Sequence, residues 1–164
     1  MKKFLILSTI FLTCHMLSGQ KPASSISWTT LDSGLFIADY LPPGDSVNGI
    51  VTILKIDPVH YSFDLLSAKE PGERTRTVKE WAEEKNLVAV INAGMFQQDG
   101  KTNVGYMKDF DFINNGRLNK DNAILAFNPK TSDVPPIQII DRKCQDWEVM
   151  KNKYNSFTQS IRMV

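Results

Sequence analysis

Histidine and cysteine are scarce in this chain, with two of each among 164 residues. Cys14 and His15 fall in an N-terminal stretch that has the form of a secretory signal. Cleavage near Gln20 would leave Cys144 with no partner for an internal disulfide and His60 as the lone imidazole. One histidine cannot supply a His-rich zinc site. A Ser-His-Asp triad would have to use His60, and no nucleophile elbow accompanies it. A catalytic thiol at Cys144 would want a histidine partner of its own; the simpler reading is a structural or semi-exposed thiol. A CxxC pair and a phosphate-binding P-loop are both missing. There is no basic run and the formal net charge is +1, so nucleic-acid binding has no compositional support. Catalysis within these residues must rest on carboxylates, amides, backbone groups and arginines.

What is present begins with the leader. Lys2 and Lys3 form a positive region, and residues 4–12 form an apolar core too short to span a bilayer as a helix. Leu17-Ser18-Gly19 offers small residues for cleavage. Residues 1–19 are therefore read as a signal peptide, 20–27 as a linker with Pro22 and several serines, and 28–164 as one domain. The protein is expected to be exported, periplasmic or secreted, with no transmembrane helix after cleavage. Lipid anchoring through Cys14 is the alternative, although Phe11-Leu12-Thr13 are bulky for a lipoprotein cleavage site.

The domain reads as α+β: a mixed, largely antiparallel sheet with a few short helices. Residues 28–31 are expected to open the fold, with strands at 35–41, 50–56, 61–67, 88–91, 109–113, 123–128, 137–140 and 157–164. Asp32-Ser33-Gly34 and Asn114-Asn115-Gly116-Arg117 carry turn signals. The short connection at 57–60 suggests a hairpin between its flanking strands. Residues 69–76 form a charged loop, either solvated surface or a basic rim near an anionic ligand. Thr77-Val78-Lys79-Glu80 is a capping box that opens a helix with Trp81 as its buried anchor. A second short helix begins at an Asp146 cap. The last strand stops without a polar tail, which points to an edge strand or an incomplete domain; the second reading is favoured.

The chain is organised around residues 88–96. Val88-Ala89-Val90-Ile91 has the composition of a central strand, and it runs into Asn92-Ala93-Gly94-Met95-Phe96. An amide and a residue without a Cβ at a strand end suit a binding loop. The plainer reading is a strand-end turn followed by a core phenylalanine. Asn103-Val104-Gly105 is a second place where backbone can approach a ligand.

These residues resemble the phosphodiester glycosidase domain, found in the uncovering enzyme of lysosomal targeting and in many bacterial exported proteins. The likeness runs from Ile56-Asp57-Pro58 through Thr77-Val78-Lys79-Glu80-Trp81-Ala82 to residues 87–96. It continues into the Gly105 region and the closing Gln159-Ser160-Ile161-Arg162-Met163. The resemblance implies hydrolysis of the bond between a sugar's anomeric carbon and a phosphate. It also implies that Asn92, Gly94 and Phe96 line the pocket, Gly105 shapes its wall and Arg162 faces the phosphate. Family members carry a later Asp-Gly-Gly-type loop, which this sequence does not reach. Asp109 and Asp111 are the acid candidates within the chain. A divalent cation with oxygen ligands is compatible with the acids and amides present, but no ligand spacing identifies one. A non-catalytic sugar-binding or cell-surface module and a structural envelope protein on the same scaffold are the other classes kept open.

Overall fold

The computed structural model describes residues 26–41 and 49–160. Arg162, the expected phosphate partner, lies outside them, as do the leader and most of the linker. The fold is α+β, and every described strand pair is antiparallel. Strands β1 (Thr29–Asp32), β2 (Leu35–Tyr40) and β3 (Val51–Ile56) form one sheet in the order β1-β2-β3. A second sheet has the order β5-β4-β8-β6-β7. Its members are β4 (Met107–Asp109), β5 (Phe112–Asn115), β6 (Ala123–Pro129), β7 (Ile137–Asp141) and β8 (Tyr154–Ser160). Among the described residues there are also two short helices, α1 (Val78–Lys85) and α2 (Trp147–Met150).

The larger sheet is buried on both faces at its centre, because alternate residues of a strand point to opposite sides. On one face Ile124 and Ala126 of β6 join Ile140, Tyr154 and Phe157. Phe157 is the hub of that cluster, with edge-on contacts to Trp147, Tyr106 and Tyr154 at ring separations of 5.3, 6.1 and 6.2 Å. On the other face Phe127 and Met107 pack with Leu65, and Phe63 and Ala93 close over them. β8 lies between β4 and β6, so it is an interior strand, and the edge-strand alternative for the last strand does not hold.

The local signals for helix starts are realised. Thr77 accepts from the Glu80 amide while the Glu80 carboxylate accepts from the Thr77 amide at 2.6 Å. Asp146 caps α2 through the Glu148 amide at 2.8 Å. Trp81 is not the buried anchor expected of it. It is half-buried beneath the Arg76 guanidinium, 4.3 Å from its ring centre, on a helix that carries no fully buried residue.

Three strand expectations fail, for one shared reason. A strand is held by its neighbours, and composition alone cannot supply one. Residues 88–91 find no ladder partner and run as irregular chain, with Val88 61% and Ile91 80% exposed. Residues 61–67 also lie outside both sheets, so the hairpin expected across 57–60 does not form, although Phe63 and Leu65 still enter the core. Residues 109–113 are not one strand: the chain reverses at Phe110-Asp111, where Phe110 takes a left-handed conformation, and β4 pairs with β5. That reversal puts Asn114 and Asn115 inside β5 instead of in the turn that their sequence signalled.

Candidate functional site

The C-terminal end of β8 grips a different loop with each face. On one face Thr158 donates its hydroxyl to the Ala93 carbonyl at 2.6 Å, which fixes the 92–96 segment against the sheet. On the other face Gln159, 2% exposed, ties down the chain near Tyr106 and Asn119. Its Oε1 accepts from the Tyr106 and Asn119 amides at 2.9 and 3.1 Å. Its Nε2 donates to the Asn119 and Asp121 carbonyls at 3.3 and 2.6 Å. Two donor hydrogens and two lone pairs are the whole hydrogen-bonding capacity of a glutamine side chain, and here all of it is used.

Residues 95–104 fold back on themselves. A bridge joins Phe96 to Asn103, the Val104 amide donates to the Met95 carbonyl at 2.8 Å, and the Gln97 amide donates to the Thr102 carbonyl at 2.8 Å. Asp99 organises the tip by accepting from the Lys101 and Thr102 amides and the Thr102 hydroxyl, and these bonds hold its carboxyl down at a pKa of about 2. The fold-back leaves Met95 and Phe96 exposed and carries Asn103 inward.

Between these loops lies a recess of about 20 Å³, lined by Asn103, Gly105, Asn119, Asp121 and Gln159, with Met95, Val104 and Ser160 also on its wall. Gly105 is required there: a Cβ would stand 2.9 Å from Gln159 Oε1 and 3.2 Å from Asn119 Nδ2. Gly94 is required beside it, since a Cβ would overlap Asn103 Oδ1. Asn103 is 1% exposed; its backbone amide donates to Asn114 Oδ1 at 2.7 Å and its Nδ2 donates to the Gly105 carbonyl at 3.1 Å. Its Oδ1 is buried and has no partner.

The expected site residues are thus distributed unevenly. Gly94 and Gly105 meet at this recess through Asn103. Asn92 is exposed beside it and accepts weakly from the Gly94 amide at 3.4 Å, and Phe96 is exposed on the adjoining fold-back. Neither Asp109 nor Asp111 lines it. Asp111 is exposed in the β4–β5 reversal, and Asp109 is half-buried on β4, accepting from the Ser156 hydroxyl. Asn103, Asn119, Asp121 and Gln159 were not anticipated as site residues. The clue available was the density of amides between 103 and 122, each a group that needs partners if buried.

The arginines of the 69–76 loop serve α1. Arg76 pairs with Glu73 and Glu84 at 2.5 and 2.6 Å, and Arg74 reaches Glu80 and Glu84. Lys85 and Arg76, by hydrogen bonds and charge, hold the Glu73 carboxyl below its usual range. These are mutually neutralised groups on a helix surface, not a rim waiting for an anion. Among the described residues no group of three or more His, Cys, Asp or Glu side chains is gathered to hold a metal ion, and no helix is long and apolar enough to cross a membrane.

Asp109 carries a pH dependence. Burial pushes its carboxyl above the usual range, the Ser156 hydrogen bond opposes this, and Asp64 adds a smaller upward push. A carboxyl raised on folding binds more protons in the native state, so its contribution is fully present below the unfolded pKa and is lost as pH rises through the folded one. The stability of the wild type relative to Asp109→Asn should therefore fall as pH rises from about 3 to about 7. Urea titrations of both proteins across that range check it; a flat difference would show that Asp109 does not titrate with folding.

Comparison with known protein families, with curated proteins and with solved structures finds no match.

Proposed function

We propose that this chain is an exported phosphodiester glycosidase-like protein that binds a sugar at this recess and hydrolyses its bond to a 1-phosphodiester. The observation that carries the reading is the seating of 92–96. Thr158 pins Ala93, and Gly94 and Gly105 approach the same buried amide at a recess beside exposed Met95 and Phe96. An apolar side chain at the rim suits a sugar face, and amides at the wall suit its hydroxyls. In the reaction, water oxygen adds to the anomeric carbon and gives up a proton to solvent, the bond between that carbon and the phosphate oxygen breaks, and the phosphate monoester leaves with the electron pair. Positive charge builds at the anomeric carbon, and a nearby carboxylate stabilises it. In this reading Asp121 takes that role in place of Asp109 and Asp111, as the acid on the recess wall.

The test is release of reducing sugar from glucose 1-(methyl phosphate). Turnover is expected, with Asp121→Asn lower by about a hundredfold. Turnover unaffected by that change would remove Asp121 from the chemistry. A second reading, a non-catalytic carbohydrate- or cell-surface-binding module, has its own support: glycosidases commonly use two carboxylates, and the recess wall carries one. Binding of the same compound without turnover would select it.

A further inference from the structure

We propose that Asn103 is a specificity-determining residue, whose Oδ1 accepts a hydrogen bond from one hydroxyl of a neutral sugar ring while the phosphate remains outside the recess. The inference rests on the carbohydrate reading of this site and goes further by naming the atom that reads the ligand.

Three amides lie on the recess wall; Asn119 is tied to Asp121 through both its Nδ2 and its Oδ1, and the other two differ in one respect. Gln159 has every donor and acceptor engaged, so it is a strut with nothing left to offer a ligand. Asn103 uses one donor, toward the Gly105 carbonyl, and none of its acceptor capacity. That bond also fixes which end of the amide is oxygen. A buried carbonyl oxygen without a partner is unfavourable, and native proteins rarely keep one without a use. The residue is held in this state by the fold-back, which fixes its backbone through Asn114, Gln97 and Asn115.

Size and charge restrict what can answer it. The recess has room for about one water-sized group, so it admits a hydroxyl and not a phosphate. Its wall carries the Asp121 carboxylate and no lysine, arginine or histidine, which disfavours an anion and favours a donor. Gly94 packs directly against this oxygen, where a Cβ would overlap it, and Asn103 itself lines the recess. The ligand hydroxyl supplies the missing bond.

The experiment measures binding of glucose 1-(methyl phosphate) and of each of its monodeoxy analogues to the wild type, Asn103→Leu and Asn103→Asp. In the wild type one analogue should bind about tenfold more weakly than the parent, because its loss leaves the oxygen unpaired again. Asn103→Leu should bind parent and analogue alike, and Asn103→Asp, which keeps an acceptor, should restore the discrimination. The Asn103 Cγ resonance of the wild type, read by carbon-13 NMR, needs no variant to fold: it should move with the parent and stay still with the discriminated analogue. Equal discrimination in wild type and Asn103→Leu, or a Cγ resonance indifferent to the parent, as when water alone serves the oxygen, overturns the assignment and leaves the carbohydrate reading standing. No binding of any of these compounds overturns both.

Discussion

Gln159→Leu is expected to lower stability by about 2–4 kcal/mol, or roughly 5–15 °C in thermal midpoint. The change is close to volume-conserving, so packing is not the reason. The Tyr106 and Asn119 amides lose their acceptor, while the Asn119 and Asp121 carbonyls lose one donor and keep the Arg142 guanidinium at 2.9 and 3.0 Å. Each orphaned amide costs about 1–3 kcal/mol if it stays dry, and the one at half-buried Asn119 recovers part of that by meeting water. The same substitution releases two walls of the recess, so ligand binding should weaken along with stability. Chemical denaturation and sugar titration of the one variant check both effects. A stability loss below about 0.5 kcal/mol, the range of ordinary surface substitutions, would mean that Gln159 is not the strut described.

Phe157→Ala should be more damaging, by about 3–5 kcal/mol, but through packing alone. Phe157 is 1% exposed and touches three aromatic rings edge-on. Truncation leaves a cavity at the centre of the sheet, where Ala126 is its cross-strand neighbour and is too small to fill the space. Edge-on ring pairs add about 0.5–1.5 kcal/mol each beyond the area that they bury. At temperatures where the variant remains folded, its sugar affinity should stay within about threefold of the wild type, since Phe157 does not line the recess. The pair of variants thus separates support of the site from support of the fold.

How much of this was legible in the sequence follows the range of the interactions involved. The Thr77–Glu80 capping box, the Asp146 cap and the Asp32-Ser33-Gly34 turn are settled within a few residues, and each is where the sequence puts it. β6 and β7 were legible as apolar runs bounded by Pro and Asn, since their pairing is also local. Residues 88–91 carry an equally strong strand composition, yet whether they become a strand depends on a neighbour that the sequence does not identify. At 109–117 the sequence carried one turn signal, Asn114-Asn115-Gly116, but Asn114 is held inside by bonds to Ser67 and the Asn103 amide, and the chain reverses earlier, within the stretch that read as a strand. The recess was half legible. Gly94 and Gly105 declare themselves as places of close approach, but what they approach is Asn103 and Gln159, and the bonds from Gln159 and Thr158 bridge 38 to 65 residues. No periodicity in one sequence reports contacts of that span.

The central claim is that a ligand sugar is received where the 92–105 loop meets the end of β8. The most direct test is backbone amide NMR of the nitrogen-15-labelled protein titrated with glucose 1-(methyl phosphate). Shifts concentrated at residues 93–96, 103–106, 119–121 and 158–160 are the predicted result. Shifts centred on Asp109 and Asp111, or a spectrum that does not respond, would contradict it.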